Sequence, residues 1–105
     1  MKTEVSILHH DYPARVRETV EEKLQHLGRF CDWVVSIRAL LERQADDHRV
    51  EIVANAGGGT VLVADATADA FSVALEEAVE RMGRHLKRHH DKITKDRHRG
   101  GRIGH

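Results

Sequence analysis

Positively charged side chains are concentrated in the stretch RMGRHLKRHHDKI, residues 81–93. Arginines and lysines recur there, and just after it, at spacings of three or four residues: Arg81, Arg84, Arg88, Lys92 and Lys95. Residues at these spacings share one side of an α-helix. A row of fixed positive charge on a helix can follow a phosphate backbone, and such contacts give salt-sensitive affinity without reading base sequence.

The charges of the whole chain are strongly segregated, although the formal net charge is zero. Residues 1–80 hold 8 Lys and Arg against 15 Asp and Glu, whereas residues 81–105 hold 9 against 2. This asymmetry predicts an anionic partner, with nucleic acid first and an acidic protein or membrane surface next. The macrodipole also favours basic residues near a helix C-terminus, so a merely solvated helix end is the simpler alternative.

Other cations could extend this surface. Lys87 lies on the opposite flank of the same predicted helix. Lys23, His26 and Arg29 come from an earlier predicted helix, and they would border a groove if the two helices lie side by side. There are only four aromatic residues: Tyr12, Phe30, Trp33 and Phe71. Recognition of single strands by base stacking is therefore not expected, and backbone contact with structured RNA fits better.

The sequence shows no catalytic set, and we expect no cofactor and no small-molecule substrate. His85 and His89 have a spacing that can bind zinc or copper, but no carboxylate or cysteine supports them on the same helix. Cys31 lacks a neighbouring histidine and is expected to be a small buried residue rather than a nucleophile. The glycines at 57–59 join two strands, so they do not form a phosphate loop.

The elements that must position these residues follow the order β-α-β-β-β-α. Alternating apolar residues predict four strands: Thr3–Leu8, Val34–Glu42, Arg49–Ala56 and Thr60–Ala66. Helical periodicity predicts two helices, one from Pro13 to about Gly28 and one from Phe71 to about Lys92. In the second strand the alternation places four residues on the core side: Val35, Ile37, Ala39 and Leu41. Phe30 and Trp33 are expected to close the core.

This order predicts an α+β fold with a four-stranded sheet and both helices packed on one face. Residues 1–93 form the predicted domain, and residues 94–105 form a basic tail that is expected to be disordered unless it binds something. Cys31 is the only cysteine, which excludes an intrachain disulfide and fits a reducing cytoplasm. No stretch approaches the roughly 20 apolar residues of a membrane span.

The chain resembles the ribosome hibernation-promoting factor and ribosome-associated translation inhibitor family, in its short single-domain form. Four places carry the resemblance: VRETVEEKLQHLGRFCDWV (16–34), the Gly58-Gly59 hairpin followed by a strand and Asp69, FSVALEEA (71–78), and RMGRHLKRHHDKI (81–93). The last is the most specific, because basic residues, apolar positions, His89, Asp91 and Lys92 match together. His26 and His90 stand where the family often has lysine.

The resemblance implies a fold like that of a double-stranded-RNA-binding domain. It implies binding to 16S ribosomal RNA in the decoding channel of the 30S subunit, which blocks translation and protects idle ribosomes in stationary phase or stress. The family's RNA contacts match Lys23, Arg81, Arg84, Arg88 and Lys92 and, less closely, Arg17 and Lys87. The long form adds a C-terminal dimerisation domain. This chain shows only a short basic tail, so direct ribosome dimerisation is not expected.

Two functions of other classes remain open on the residues alone. In the first, the chain is a protein-interaction module, in which the basic helix meets an acidic protein and the exposed sheet adds a partner strand. In the second, it is a histidine-based metal enzyme or metal store.

Overall fold

The computed structural model describes residues 1–8, 11–29 and 31–103, with side chains described as far as Ile93. The elements are β1 (Lys2–Leu8), α1 (Ala14–Arg29), β2 (Val34–Gln44), β3 (Asp47–Ala56), a 3-10 turn (Gly57–Gly59), β4 (Val61–Ala68) and α2 (Phe71–Ile103). The predicted order β-α-β-β-β-α is confirmed, and with it the α+β class.

The four strands form one mixed sheet in the order β1-β2-β3-β4. β1 runs parallel to β2, whereas β2–β3 and β3–β4 are antiparallel hairpins. Parallel neighbours need a crossover, and α1 supplies it. The strand register aligns Val5, Ala39, Ile52 and Ala64 across the sheet, and all four side chains are buried on the same face.

Both helices pack on that buried face, as predicted. Val20 and Leu24 of α1 are fully buried, as is Met82 of α2. These residues join one core cluster with the inward side chains of all four strands. α2 lies over β3 and β4, where four small residues meet: Ala64, Ala66, Ala74 and Ala78. Burial of this single apolar face fixes which side of each helix remains exposed.

The turns use the backbone conformations that their residues allow. Gly58 and Gly59 have φ values of 78° and 82°, a left-handed conformation that glycine adopts at no steric cost. At the β2–β3 hairpin, Ala45 adopts a φ of 51°. Near that hairpin, the Tyr12 hydroxyl and His48 Nδ1 are hydrogen-bonded at 2.6 Å. The Tyr12 ring also lies 4.9 Å from that of Phe71, so both helix starts are tied to the hairpin.

The predicted facing of Val35 was wrong. A β-bulge shifts the register between Val34 and Ser36. It turns Val34 into the core, where it is 4% exposed, and leaves Val35 60% exposed. From Ile37 onward the predicted alternation holds, because Ile37, Ala39 and Leu41 are buried. A bulge of this kind re-aims one side chain without altering the rest of the strand.

Two further expectations concern the ends of elements. α2 continues to Ile103 instead of ending near Lys92. The side chains of 94–103 and the whole of residues 104–105 lie outside the described part, so the division into a domain and a basic tail stays a prediction. Phe30 also lies outside the described residues, whereas Trp33 packs against the core.

Candidate nucleic-acid interface

Helix α2 separates its apolar and basic residues as the spacing predicts. Met82 and Leu86 are buried at 0% and 3% exposure. The predicted row of Arg81, Arg84, Arg88 and Lys92 is exposed throughout; the Lys95 side chain lies outside the described part. Within the described residues, neither Arg88 nor Lys92 forms an ion pair or hydrogen bond with the protein, so both cations are available to a ligand.

Arg81 differs from the rest of the row because it contacts the sheet. Its Nη1 donates a 2.5 Å hydrogen bond to the backbone oxygen of Asp65 on the edge strand β4. Its other guanidinium nitrogen lies 3.9 Å from the Glu77 carboxylate. On the opposite edge, Arg17 Nη1 donates a 2.6 Å hydrogen bond to the backbone oxygen of Val5. Each edge strand therefore has one backbone carbonyl that accepts a hydrogen bond from an arginine. That carbonyl is not available to pair with a strand of another chain.

Arg84 has a local partner that binds it weakly. Its Nη1 lies 3.1 Å from the Glu80 carboxylate one helical turn earlier. Both side chains are mostly exposed, at 60% and 68%. Exposed pairs at this spacing contribute only about 0.3–0.5 kcal/mol. A phosphate group can therefore displace Glu80 from Arg84 at small cost.

The two helices run side by side in the same direction, and two hollows lie between their described residues. Arg15 and Lys23 of α1 line the first hollow together with Phe71 and Glu76 of α2. The second lies between the C-terminal halves and has a volume of about 410 Å³. Its lining comprises His26, Leu27, Cys31, Gly83, Leu86, Lys87 and His90. The predicted groove is therefore present, and it brings Lys87 to the side of α2 that faces α1.

The parallel course of the helices gives their exposed layer an acidic end and a basic end. Residues 14–22 of α1 and 71–81 of α2 present Glu18, Glu21, Glu22, Glu76, Glu77 and Glu80 against Arg15, Arg17 and Arg81. Residues 23–29 and 84–93 present Lys23, Arg29, Arg84, Lys87, Arg88 and Lys92 against Asp91. Coulombic repulsion opposes contact between phosphates and the first set. An RNA partner is therefore directed to one end of the helical layer rather than to its whole length.

The histidines of the basic stretch do not form a metal site in the described residues. The His89 ring packs edge-on against Trp33, with ring centroids 4.7 Å apart. His85 is partly buried, and no group of three metal-ligating residues exists among those described. Packing on Trp33 gives His89 a structural role, which is consistent with its position near the apolar face of the helix.

Cys31 is buried at 7% exposure, as expected. Burial raises the pKa of its thiol, and the neighbouring Asp32 carboxylate raises it further. Since the thiolate is the nucleophilic form, this environment lowers the reactivity of the thiol at neutral pH. No helix in the described part is long and apolar enough to cross a membrane.

The sheet face opposite the helices has a mixed character. Arg49 lies on this face, 2.7 Å from the Glu51 carboxylate and 3.3 Å from that of Asp65. The hydrogen bond with Glu51 is the main cause that raises the pKa of Arg49. Val61 and Val63 on β4 are 52% and 51% exposed. Among the described residues, this face is thus partly apolar and carries no row of free cations.

Comparison with known proteins gives a consistent picture. Residues 3–94 match the model of a family described as Sigma 54 modulation protein / S30EA ribosomal protein. A ribosomal subunit interface protein from Coxiella burnetii is 16% identical, with a TM-score of 0.78 over 87% of this chain and 99% of that one. The Thermus thermophilus Protein Y N-terminal domain is 22% identical, with a TM-score of 0.71 over 81% and 93%. A search of curated proteins found no match.

Proposed function

Because the chain belongs to the Sigma 54 modulation protein / S30EA ribosomal protein family, we propose that it is a ribosome-associated translation inhibitor. It binds 16S ribosomal RNA of the 30S subunit in the decoding channel and thereby silences and protects idle ribosomes. The observation that carries this proposal is the cluster of exposed cations at one end of the helical layer, where Arg88 and Lys92 are not engaged by other described residues.

Five side chains make the proposed phosphate contacts: Lys23, Arg84, Lys87, Arg88 and Lys92. They come from both helices and lie along the outer ridge and the inter-helix groove, so they can engage phosphates of two neighbouring RNA segments. Arg81 was also predicted to bind RNA. Since its guanidinium is held by Asp65 and Glu77, an RNA contact there requires a competing hydrogen bond to be broken.

The proposed mechanism is steric exclusion rather than catalysis. A folded domain bound in the decoding channel excludes messenger and transfer RNA by volume, and no cofactor or substrate turnover is needed. The phosphate contacts supply affinity without base specificity. The location that follows is the cytoplasm, on ribosomes, and the occasion is stress or stationary phase, when idle ribosomes accumulate.

Sedimentation with 70S ribosomes and 30S subunits tests the proposal. The chain should comigrate with both particles at low salt and be released at high salt, because phosphate contacts are salt-dependent. The double variant Arg84→Glu with Arg88→Glu should stay at the top of the gradient. Arg38→Glu with Arg43→Glu is a matched control, since it makes the same change of charge at two exposed arginines on β2, outside the basic end. Failure of the unaltered chain to comigrate at low salt would contradict the proposal.

A second candidate function is a protein-interaction module that uses the outer sheet face. The exposed Val35, Val61 and Val63 favour it, because they lie at the same end of the sheet. In this case Val63→Lys should abolish binding to a partner protein, and the Arg84→Glu and Arg88→Glu changes should leave it intact. Retained ribosome binding by Val63→Lys, with loss in the double variant, would reject this alternative.

A further inference from the structure

We propose that the hollow between the C-terminal halves of α1 and α2 receives a single unpaired nucleotide, turned out of the bound RNA. This inference rests on the proposed function and adds a subsite to it. The basic residues on the outer ridge contact the RNA backbone from one side only. The hollow would hold one nucleotide from the same RNA, and so fix the position of the domain along it.

The lining of the hollow suits a nucleotide, which has a flat base and a negatively charged phosphate. Leu27, Leu86 and Cys31 give it an apolar interior. His26, Lys87 and His90 supply the polar groups. A nucleobase presents apolar faces, and its phosphate would lie within reach of the Lys87 ammonium group. The volume of about 410 Å³ is sufficient for one nucleotide but not for a folded RNA element.

Gly83 is the second observation. It lies inside α2 and lines the hollow, although glycine is the least favourable helix residue after proline. A Cβ atom built at this position would meet Leu27 Cδ2 at 3.8 Å, an ordinary van der Waals distance. Packing within the protein therefore does not require glycine here. Its effect is to keep open a space that any larger side chain would reduce.

The charged residues that line the second hollow favour a nucleotide over a cationic peptide as its ligand. Glu76 lines the hollow near the helix starts, together with Arg15 and Lys23. None of the described residues that line the second hollow is acidic, although the Asp91 carboxylate lies 3.7 Å from Nδ1 of the lining His90. Lys87 lies beside Arg84 and Arg88 on the surface of α2, so it connects the hollow to the proposed RNA surface. An aliphatic interior accepts a base without the aromatic platforms that the sequence lacks.

Two RNA hairpins and two variants of the full chain test the proposal. One hairpin carries a single unpaired uridine in its stem, and the other has the same stem fully paired. Gly83→Leu fills the hollow, whereas the control Thr67→Leu adds an apolar side chain at an exposed position on the sheet face opposite the helices. Gly83→Leu should lower affinity for the bulged hairpin by roughly tenfold, because the base loses its apolar burial. Its affinity for the paired hairpin, and both affinities of Thr67→Leu, should stay within about twofold.

Methyl NMR of the unaltered chain gives a readout that does not depend on the folding of a variant. The Leu27 and Leu86 methyl resonances should shift on titration with the bulged hairpin and not with the paired one. Equal shifts with both hairpins, or equal affinity of a folded Gly83→Leu and of Thr67→Leu for the bulged hairpin, would overturn the subsite. If the unaltered chain still pellets with 30S subunits in that case, the proposed function stands. If it binds neither subunits nor hairpins, the proposed function fails as well.

Discussion

The roles of Arg81 and Arg88 should separate in the salt dependence of ribosome binding. The two residues share the exposed side of α2, so the sequence alone treats them as equivalent. In the structure, Arg88 has no partner among the described residues, whereas Arg81 donates to the Asp65 carbonyl at the edge of the sheet. Replacement of each by glutamine removes the charge and leaves a shorter, polar side chain.

The expected magnitude follows from the number of phosphates neutralised. Each contact contributes about 0.9 to the slope of log affinity against log salt concentration. The five proposed cations, Lys23, Arg84, Lys87, Arg88 and Lys92, then give a slope near −4.5, or an affinity loss of roughly 500-fold between 50 and 200 mM salt. Arg88→Gln should reduce the slope to about −3.6 and the loss to roughly 150-fold. Arg81→Gln should leave the slope near −4.5.

The assay is filter binding of labelled protein to 30S subunits across a KCl series at fixed Mg²⁺ concentration. Urea denaturation of the same two variants supplies the control. Arg81→Gln should lower the free energy of unfolding by about 0.5–1.5 kcal/mol through loss of the bond to β4. Arg88→Gln should change it by less than about 0.5 kcal/mol. A slope that falls equally in both variants, with no stability difference between them, would refute the assignment of Arg81 to the sheet edge.

Three further predictions test the core, the thiol and the Tyr12 contact. Leu86→Ala should lower the free energy of unfolding by about 2–5 kcal/mol in urea titration, because its side chain is buried; a loss below about 1 kcal/mol would contradict the packing of α2. Cys31 should react with iodoacetamide at pH 8 much more slowly in the folded chain than in urea, and equal rates would show that the thiol is not protected. Tyr12→Phe should cost about 1 kcal/mol at pH 7 through loss of the hydrogen bond to His48. Because burial raises the pKa of Tyr12, the folded chain holds the hydroxyl proton more tightly than the unfolded one. The protonated hydroxyl therefore contributes fully to stability below the ordinary tyrosine pKa of about 10. This contribution is lost as pH rises through the higher pKa of Tyr12 in the folded chain. The free energy of unfolding of Tyr12→Phe should therefore fall less at high pH than that of the unaltered chain.

The sequence predicted the elements and the facing of α2 because both depend on local periodicity. Phe71, Met82 and Leu86 lie at helical spacings, and burial of one helix face requires nothing from distant residues. The alternation of Ile37, Ala39 and Leu41 similarly indicated the buried face of β2. The position of β1 beside β2 in the sheet was not predicted, because it depends on pairing between strands that are distant in the sequence.

What could not be predicted depends on register and on contacts between elements. The alternation in β2 continues back to Val35, and only pairing with β3 shows the bulge that turns Val34 inward. Arg81 and Arg88 are indistinguishable by spacing, since the contact of Arg81 with Asp65 is set by where α2 crosses β4. The open space beside Gly83 likewise depends on the distance between two helices, which no local pattern encodes.

The common direction of α1 and α2 makes this electrically neutral chain a strong dipole. The backbone dipoles place partial negative charge at both helix C-termini. The side chains place a larger positive charge at that same end and negative carboxylates at the other. Because its formal net charge is zero, the molecule has only a weak long-range electrostatic attraction to a polyanion. Within about 8 Å at physiological salt, however, the field of an RNA surface exerts a torque that turns the basic end forward. Capture by the ribosome is then limited by orientation at short range rather than by attraction from a distance.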